Sequence, residues 1–243
     1  MRRFVLARKV SLLLVAFLIF VFVRVALSAS RLAILTSLEA QNSANANSQP
    51  APRKTSQPYT GDLSIFEEKE RDKKLQVERV MDILGIKEGV HVADIGAGSG
   101  WFTVRAAKRV GSTGLVYAVD INPESIAYIN RRTQHDGIAN VHAILSQEDD
   151  PMLSKNSIDS VLLLKTYHEV AHPVLLLENL RKSLRSGARV GIIDRNGKGD
   201  DHGVSRDVVI QEAAQAGYQL QERYEFVKGD GQDYFLVFRS TSK

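Results

Sequence analysis

Beyond residue 62, short and almost wholly apolar runs alternate with longer stretches whose apolar residues recur every three or four positions. That alternation predicts a parallel sheet covered by helices. Residues 90–95 read as a first strand and residues 101–110 as the helix behind it. Residues 115–119 form a second strand closed by Asp120, and Asn122 and Pro123 supply an N-cap and a first-turn proline for the next helix. Residues 141–145 predict a third strand, and residues 157–164, ending in the run Val161, Leu162, Leu163 and Leu164, a buried fourth. A helix with Leu177, Leu180 and Leu184 on one face follows, then a fifth strand over residues 189–194. After a loop at residues 196–203, Val209, Ala213 and Ala216 mark a last helix. Residues 218–227, a turn at 229–231 and residues 234–238 predict a closing hairpin. Ahead of the first strand, Val77, Val80, Met81 and Leu84 keep helical spacing, with Gly85 at the position of a helix C′ residue. The charged stretch 67–74 reads as the solvated start of that helix or as an approach loop.

The N-terminal pattern is different. Arg2, Arg3, Arg8 and Lys9 precede an apolar run over residues 10–23 that Arg24 interrupts. The run is shorter than the roughly 20 residues that span a bilayer. A basic start, a short apolar core and the small residues Ala26, Ser28, Ala29 and Ser30 describe a signal peptide. A signal anchor is the alternative, with Arg24 snorkelling to the interface. Residues 1–38 are therefore expected to direct the chain to a membrane, exported or anchored on its far side. Residues 39–61 are polar and proline-punctuated and read as a flexible linker. Residues 62–243 form the folded domain.

Charge changes the picture once it is localised. The formal net charge is +4, but residues 1–38 hold six basic residues and no acid, so the remainder carries 26 basic against 28 acidic side chains. No basic field for nucleic acid survives, and none is expected as a partner. The chain has no cysteine, which excludes thiolate nucleophiles and thiolate metal sites. No metal is expected.

The chemistry concentrates at residues 92–100, where a buried strand runs into Gly96, Gly98 and Gly100. Glycines at alternate positions let backbone approach a ligand closely, and the helix beginning at Trp101 presents unpaired N–H groups there. Asp120, about twenty residues on, stands where a carboxylate grips ribose hydroxyls. The dinucleotide fingerprint is G-x-G-x-x-G; here the spacing differs and Asp94 ends the strand just before the loop. A carboxylate at that point repels a pyrophosphate and suits a ligand bearing positive charge.

The segment from Asp94 to Gly100, with Asp120, resembles the first motif of the class I S-adenosylmethionine-dependent methyltransferases, D/E-x-G-x-G-x-G. The resemblance extends over about residues 62–240 and implies their fold: α/β, a seven-stranded, mostly parallel sheet flanked by helices, with a C-terminal β-hairpin. It implies S-adenosylmethionine as cofactor, with Asp94, Gly96, Ala97, Gly98 and Gly100 around its methionine and ribose parts. Asp120 would hold the ribose, Ile121 would lie against the adenine, and Ser146 and Gln147 would meet the adenine edge. At that edge the family usually offers an acid, and Gln147 departs from it. Lys165 is counted among the cofactor-binding residues, in the segment that the resemblance places next to the sulfonium, where many relatives carry an acid. Its charge suits a sulfonium only if it points away or pairs with Asp94 or Asp194.

His168 and Glu169 are the candidate catalytic residues on the acceptor side, because an imidazole titrating near neutrality can take a proton from an incoming nucleophile. His168, Glu169 and His172 also match H-E-x-x-H, a zinc signature that requires a continuous helix. Pro173 argues against one there. The expected activity is methyl transfer to a small-molecule or lipid-linked acceptor. The rivals are a cofactor-binding protein that keeps the fold without turnover, and an NAD-linked oxidoreductase.

Overall fold

The computed structural model describes residues 52–198, 201–229 and 231–241. The segment expected to be a signal peptide or anchor lies outside them. Among the described residues no helix is long and apolar enough to cross a membrane.

A single-turn 3-10 helix, Leu63–Phe66, leads into α1 (Arg71–Leu75) and α2 (Val77–Leu84). Gln76 adopts a left-handed conformation, with φ 48°, and separates these two helices. The charged stretch is thus a distinct short helix and its approach, not the first turns of α2. α2 ends on Gly85, at φ 72°, whose N–H returns to the carbonyl of Met81. The alternating units follow: β1 (His91–Ile95), α3 (Trp101–Val110), β2 (Leu115–Asp120), α4 (Pro123–His135), β3 (Val141–Leu145) and β4 (Ile158–Leu164). A 3-10 turn, Tyr167–Glu169, precedes α5 (Pro173–Arg181), then β5 (Leu184–Arg195), α6 (Arg206–Gln215), β6 (Tyr218–Tyr224) and β7 (Asp233–Ser240).

The seven strands form one sheet in the order β3-β2-β1-β4-β5-β7-β6. The pairs from β3 to β5 are parallel, and β7 runs antiparallel to both β5 and β6. This is the class I methyltransferase fold. Successive residues of β4 serve opposite faces. Val161 and Leu163 pack with Leu176, Leu177 and Leu180 of α5, and Leu162 and Leu164 pack with residues of α2 and α3 such as Met81, Leu84 and Phe102. Burial on both faces is why β4 is almost uniformly apolar.

Two expectations are corrected. Leu184 belongs to β5 and not to the preceding helix, which ends at Arg181. Residues 52–61, which composition assigns to the linker, belong to the compact unit that begins at Pro52. Arg53 is bound to the domain through its guanidinium and its backbone, so a segment with few apolar groups is held by polar bonds instead.

Candidate active site

The sheet order reverses between β1 and β4: from β1 the chain moves out to β2 and β3, then returns to the other side. Open α/β sheets bind ligands in the crevice at such a point, beyond the carboxyl ends of the strands. A cavity of about 1070 Å³ opens there, lined by residues following β1, β2, β3 and β4. Its size exceeds that of most small-ligand pockets, leaving room for a nucleoside and a second molecule.

The glycine loop is stitched to β2. The N–H groups of Gly96 and Ala97 both donate to the Val119 carbonyl, at 2.8 and 3.1 Å. Gly96 and Gly98 have φ of 71° and 55°, a region where side chains are strained. A Cβ on Gly96 would collide with Thr166 Oγ1, whereas one on Gly98 would meet only the Phe66 ring at 3.8 Å and would project into the cavity. Gly100 caps α3 at φ 72° and is not among the cavity-lining residues. A Cβ there would press on Ile129 at 3.0 Å, so packing also requires a glycine at this position.

Asp94 is 2% exposed and accepts a 2.6 Å hydrogen bond from Thr103 Oγ1. Burial, with Asp120 nearby, pushes its carboxyl up to about 6, against the opposing pull of Arg71. Asp120 receives the Gly98 N–H at 2.8 Å and the Asn122 N–H at 2.9 Å, and burial raises it too. Two carboxylates short of countercharge in one crevice favour a cation. Ile121, Ser146 and Gln147 line the wall beyond β2 and β3, with Ile121 43% exposed. Gln147 is exposed, and its N–H donates to the Asp150 carbonyl.

The turn after β4 carries a buried dyad. His168 Nδ1 lies 2.9 and 3.1 Å from the two carboxylate oxygens of Asp194, which is fully buried in β5. Asp194 also accepts the backbone N–H groups of His168 and Arg195. In the tautomer that lets Nδ1 donate to this carboxylate, Nε2 is the ring nitrogen left to accept. Nε2 is 3.9 Å from Glu169 Oε1, and both side chains line the cavity. Burial pushes the Glu169 carboxyl up to about 7, with Asp194 and Asp120 adding to the shift and His168 opposing it.

Asp194 therefore does not pair with Lys165, and neither does Asp94. Lys165 Nζ lies 2.5 Å from Asp233 Oδ2 on β7. The H-E-x-x-H match has no helix beneath it, because the 3-10 turn ends at Glu169 and His172 is the N-cap of α5 at φ −121°.

A segment before α2, of which the sequence pattern marks only residues 67–74 as an approach loop, also contributes to the site. Residues 55–66 and Arg71 supply one side of the cavity, including Tyr59 and Phe66. Arg53 anchors this strap by donating to the carbonyls of Tyr167 and Val170 and to Glu212. Glu67 accepts from Ser99 Oγ at 2.7 Å and pairs with Arg132, tying the strap to the glycine loop. Arg71 lies over the Trp101 ring, 4.4 Å from its centroid, with Arg105 also over that ring at 4.1 Å. A signal for the strap existed in the spacing of Tyr59, Leu63 and Phe66, but it is too short to distinguish from chance.

The donor set fits S-adenosylmethionine. The space a Cβ would fill at Gly98 is open to a ligand, Asp120 stands beside it, and the buried Asp94 matches a ligand carrying a sulfonium and an ammonium. The fold and this crevice define the class I S-adenosylmethionine-dependent methyltransferases, and S-adenosylmethionine is the cofactor of that class. Residues 86–231 match the family described as methyltransferase domain, and the chain belongs to it. A solved S-adenosylmethionine-dependent methyltransferase from Aquifex aeolicus is similar over 74% of this chain and 98% of its own, with 26% identity and a TM-score of 0.66. The protein-L-isoaspartate O-methyltransferase of Pyrococcus horikoshii is 29% identical over 102 residues, 42% of this chain and 44% of that one. The ubiquinone/menaquinone biosynthesis C-methyltransferase of Hydrogenovibrio crunogenus is 27% identical over 122 residues, 50% of this chain and 48% of that one. The chain spans about half the length of the curated relatives it matches.

Proposed function

We propose that this protein transfers a methyl group from S-adenosylmethionine to an O–H or N–H group of a small-molecule or lipid-linked acceptor, with His168 as general base. The observation that carries this reading is the Asp194–His168 dyad on the wall of the cavity that also holds the glycine loop. Bound S-adenosylmethionine supplies an activated methyl group, so the protein's tasks are positioning and proton removal. Asp94 would sit beside the positive end of the cofactor, the Gly98 backbone would pass close against it, and Asp120 would take the ribose hydroxyls. Ile121 would lie on the adenine, and Ser146 and Gln147 would offer hydrogen bonds at its edge.

On the acceptor side, His168 Nε2 takes the proton of the attacking group. Asp194 keeps the imidazole in the tautomer that leaves Nε2 free, and stabilises the imidazolium that results. Glu169, beside Nε2, then receives a hydrogen bond from the acceptor or from that imidazolium. The expected export or anchor segment at residues 1–38 is part of this reading, because a domain held at a membrane meets lipid-linked acceptors. Fractionation of cells expressing the full chain or residues 39–243 tests the segment. Only the full chain should be recovered with membranes or exported.

The test of function is incorporation of tritiated methyl from S-adenosylmethionine into aqueous and chloroform–methanol extracts. Product is expected with the wild-type chain and not with His168→Ala, while both bind the cofactor. Cofactor binding with no product in any extract would instead favour a binding protein without turnover.

A further inference from the structure

The partner that Lys165 has chosen bears on the charge of the crevice. Lys165 directly follows β4 and precedes Thr166, whose side chain abuts Gly96 of the glycine loop. It therefore borders the place where the cofactor's charged centre must lie, and a free ammonium there would repel a sulfonium. Its backbone is in the left-handed region at φ 58°, a conformation that is strained for a long side chain and persists only where surroundings enforce it. Those surroundings are the Ile193 carbonyl, which accepts the Lys165 N–H at 2.8 Å, and the Asp233 carboxylate.

Asp233 is held for that contact. It is the first residue of β7, in register with Arg195 of β5, and its side chain is 1% exposed. Neither of its carboxylate oxygens has a hydrogen-bond partner among the described residues, and Lys165 Nζ at 2.5 Å supplies the countercharge. A buried carboxylate without such a charge is strongly destabilising, so each partner fixes the other. Arg71, and not Lys165, is the cation that acts on Asp94. The lysine's charge is directed to β7.

We propose that Asp233 is a specificity-determining residue: by holding Lys165 it lets the crevice accept a cationic sulfonium, and it thereby sets the balance between S-adenosylmethionine and the neutral thioether S-adenosylhomocysteine. This rests on the reading that the cavity takes S-adenosylmethionine. Two unit charges several ångströms apart at an effective dielectric of about 20 repel enough to change an affinity about tenfold or more. That change applies to the sulfonium and spares the thioether, which differs by one methyl group and one charge.

Calorimetric titration of the full chain with both compounds tests it. In Asp233→Asn the freed ammonium should weaken S-adenosylmethionine about tenfold and leave S-adenosylhomocysteine within about twofold. The double variant Lys165→Met, Asp233→Asn removes both charges and should restore the wild-type ratio. Lys165→Gln should raise the ratio in favour of the cation, because it removes the positive charge and leaves the Asp233 carboxylate in place. Equal changes for both compounds in Asp233→Asn, or a fall in the ratio in Lys165→Gln, would overturn the proposal while leaving the cofactor reading intact. If the wild-type chain binds neither compound, the cofactor reading itself fails and takes this inference with it.

Discussion

Arg53 grips the turn that carries the dyad: its guanidinium donates to the Tyr167 carbonyl, and its Cζ lies 5.0 Å from the centroid of the Tyr167 ring. The same side chain reaches the Val170 carbonyl at 3.1 Å, so its bonds fall on both sides of His168 and Glu169. Tyr167 in turn donates its hydroxyl to Glu212 at 2.9 Å, and Glu212 also pairs with Arg53. Arg53→Met should therefore loosen the turn without touching the glycine loop. The expected result is a loss of about 1–3 kcal/mol in stability and a fall in kcat of about tenfold or more from misplacement of the base. S-adenosylmethionine affinity should stay within about threefold. Residues 52–243 should behave like the full domain in transfer assays, and residues 62–243, which lack Arg53 and also the cavity wall at residues 55–61, should lose cofactor affinity as well as transfer.

The two halves of the site differ in how readable they were. The cofactor half was legible because its elements are adjacent in sequence: strand, glycines, helix and Asp120 all fall between residues 91 and 120. Backbone requirements there restrict residue type so tightly that the pattern survives without tertiary information. The succession of strands and helices and the closing hairpin followed from the alternation of apolar runs. The acceptor half was not legible in the same way. His168 and Asp194 are 26 residues apart on different elements, and their pairing depends on the lateral contact of β4 with β5. Lys165 meets Asp233 only because β7 inserts antiparallel between β5 and β6, a register that no local signal encodes. Arg53 sits in a polar tract whose composition alone argues for a linker, and five polar or ring contacts outweigh that composition.

The dyad makes a prediction about how its members combine. His168→Gln should lower methyl transfer by about 10²–10⁴-fold, the usual range for a general base. Asp194→Asn should approach the same loss, because an amide no longer fixes the tautomer. The double variant should be little worse than either single one, since residues acting as a unit are non-additive. Cofactor titrations on each variant check that the loss lies in the transfer step.

Gly98 and Gly85 share a left-handed conformation but stand in different places. A Cβ on Gly85, at φ 72°, would meet nothing within 4 Å, and Gly98, at φ 55°, faces the cavity. Alanine at either position should cost about 1 kcal/mol in stability from backbone strain. Gly98→Ala should also weaken S-adenosylmethionine by more than about tenfold, because the methyl group occupies ligand space. Gly85→Ala should leave binding unchanged. Paired thermal melts and titrations of the two variants separate strain from obstruction.

Glu169 gives the chain a pH signature. Its carboxyl stands at about 7 in the folded protein against an ordinary 4.5, and that of Asp94 at about 6 against 3.8. A raised carboxyl means that the folded state binds more protons than the unfolded state between the two values, so stability falls as pH rises through that window. The ligand-free protein should therefore be more stable near pH 5 than near pH 8 as far as these two groups are concerned. Glu169→Gln removes about half of the penalty. At pH 8 it should gain about 1–2 kcal/mol, a rise in Tm of about 2–8 °C for a domain of this size. At pH 4, where the wild-type carboxyl is protonated in both states, the gain should vanish. Cofactor affinity should move the other way, rising with pH through about 6 as Asp94 ionises. A cation draws that proton off, so S-adenosylmethionine binding at pH 5.5 should release protons, measurable as a dependence of the calorimetric heat on the buffer's ionisation enthalpy. Asp94→Asn should abolish most of that dependence and weaken the cation more than the thioether. A buffer-independent heat at pH 5.5 in the wild-type chain would mean that Asp94 does not face the positive charge.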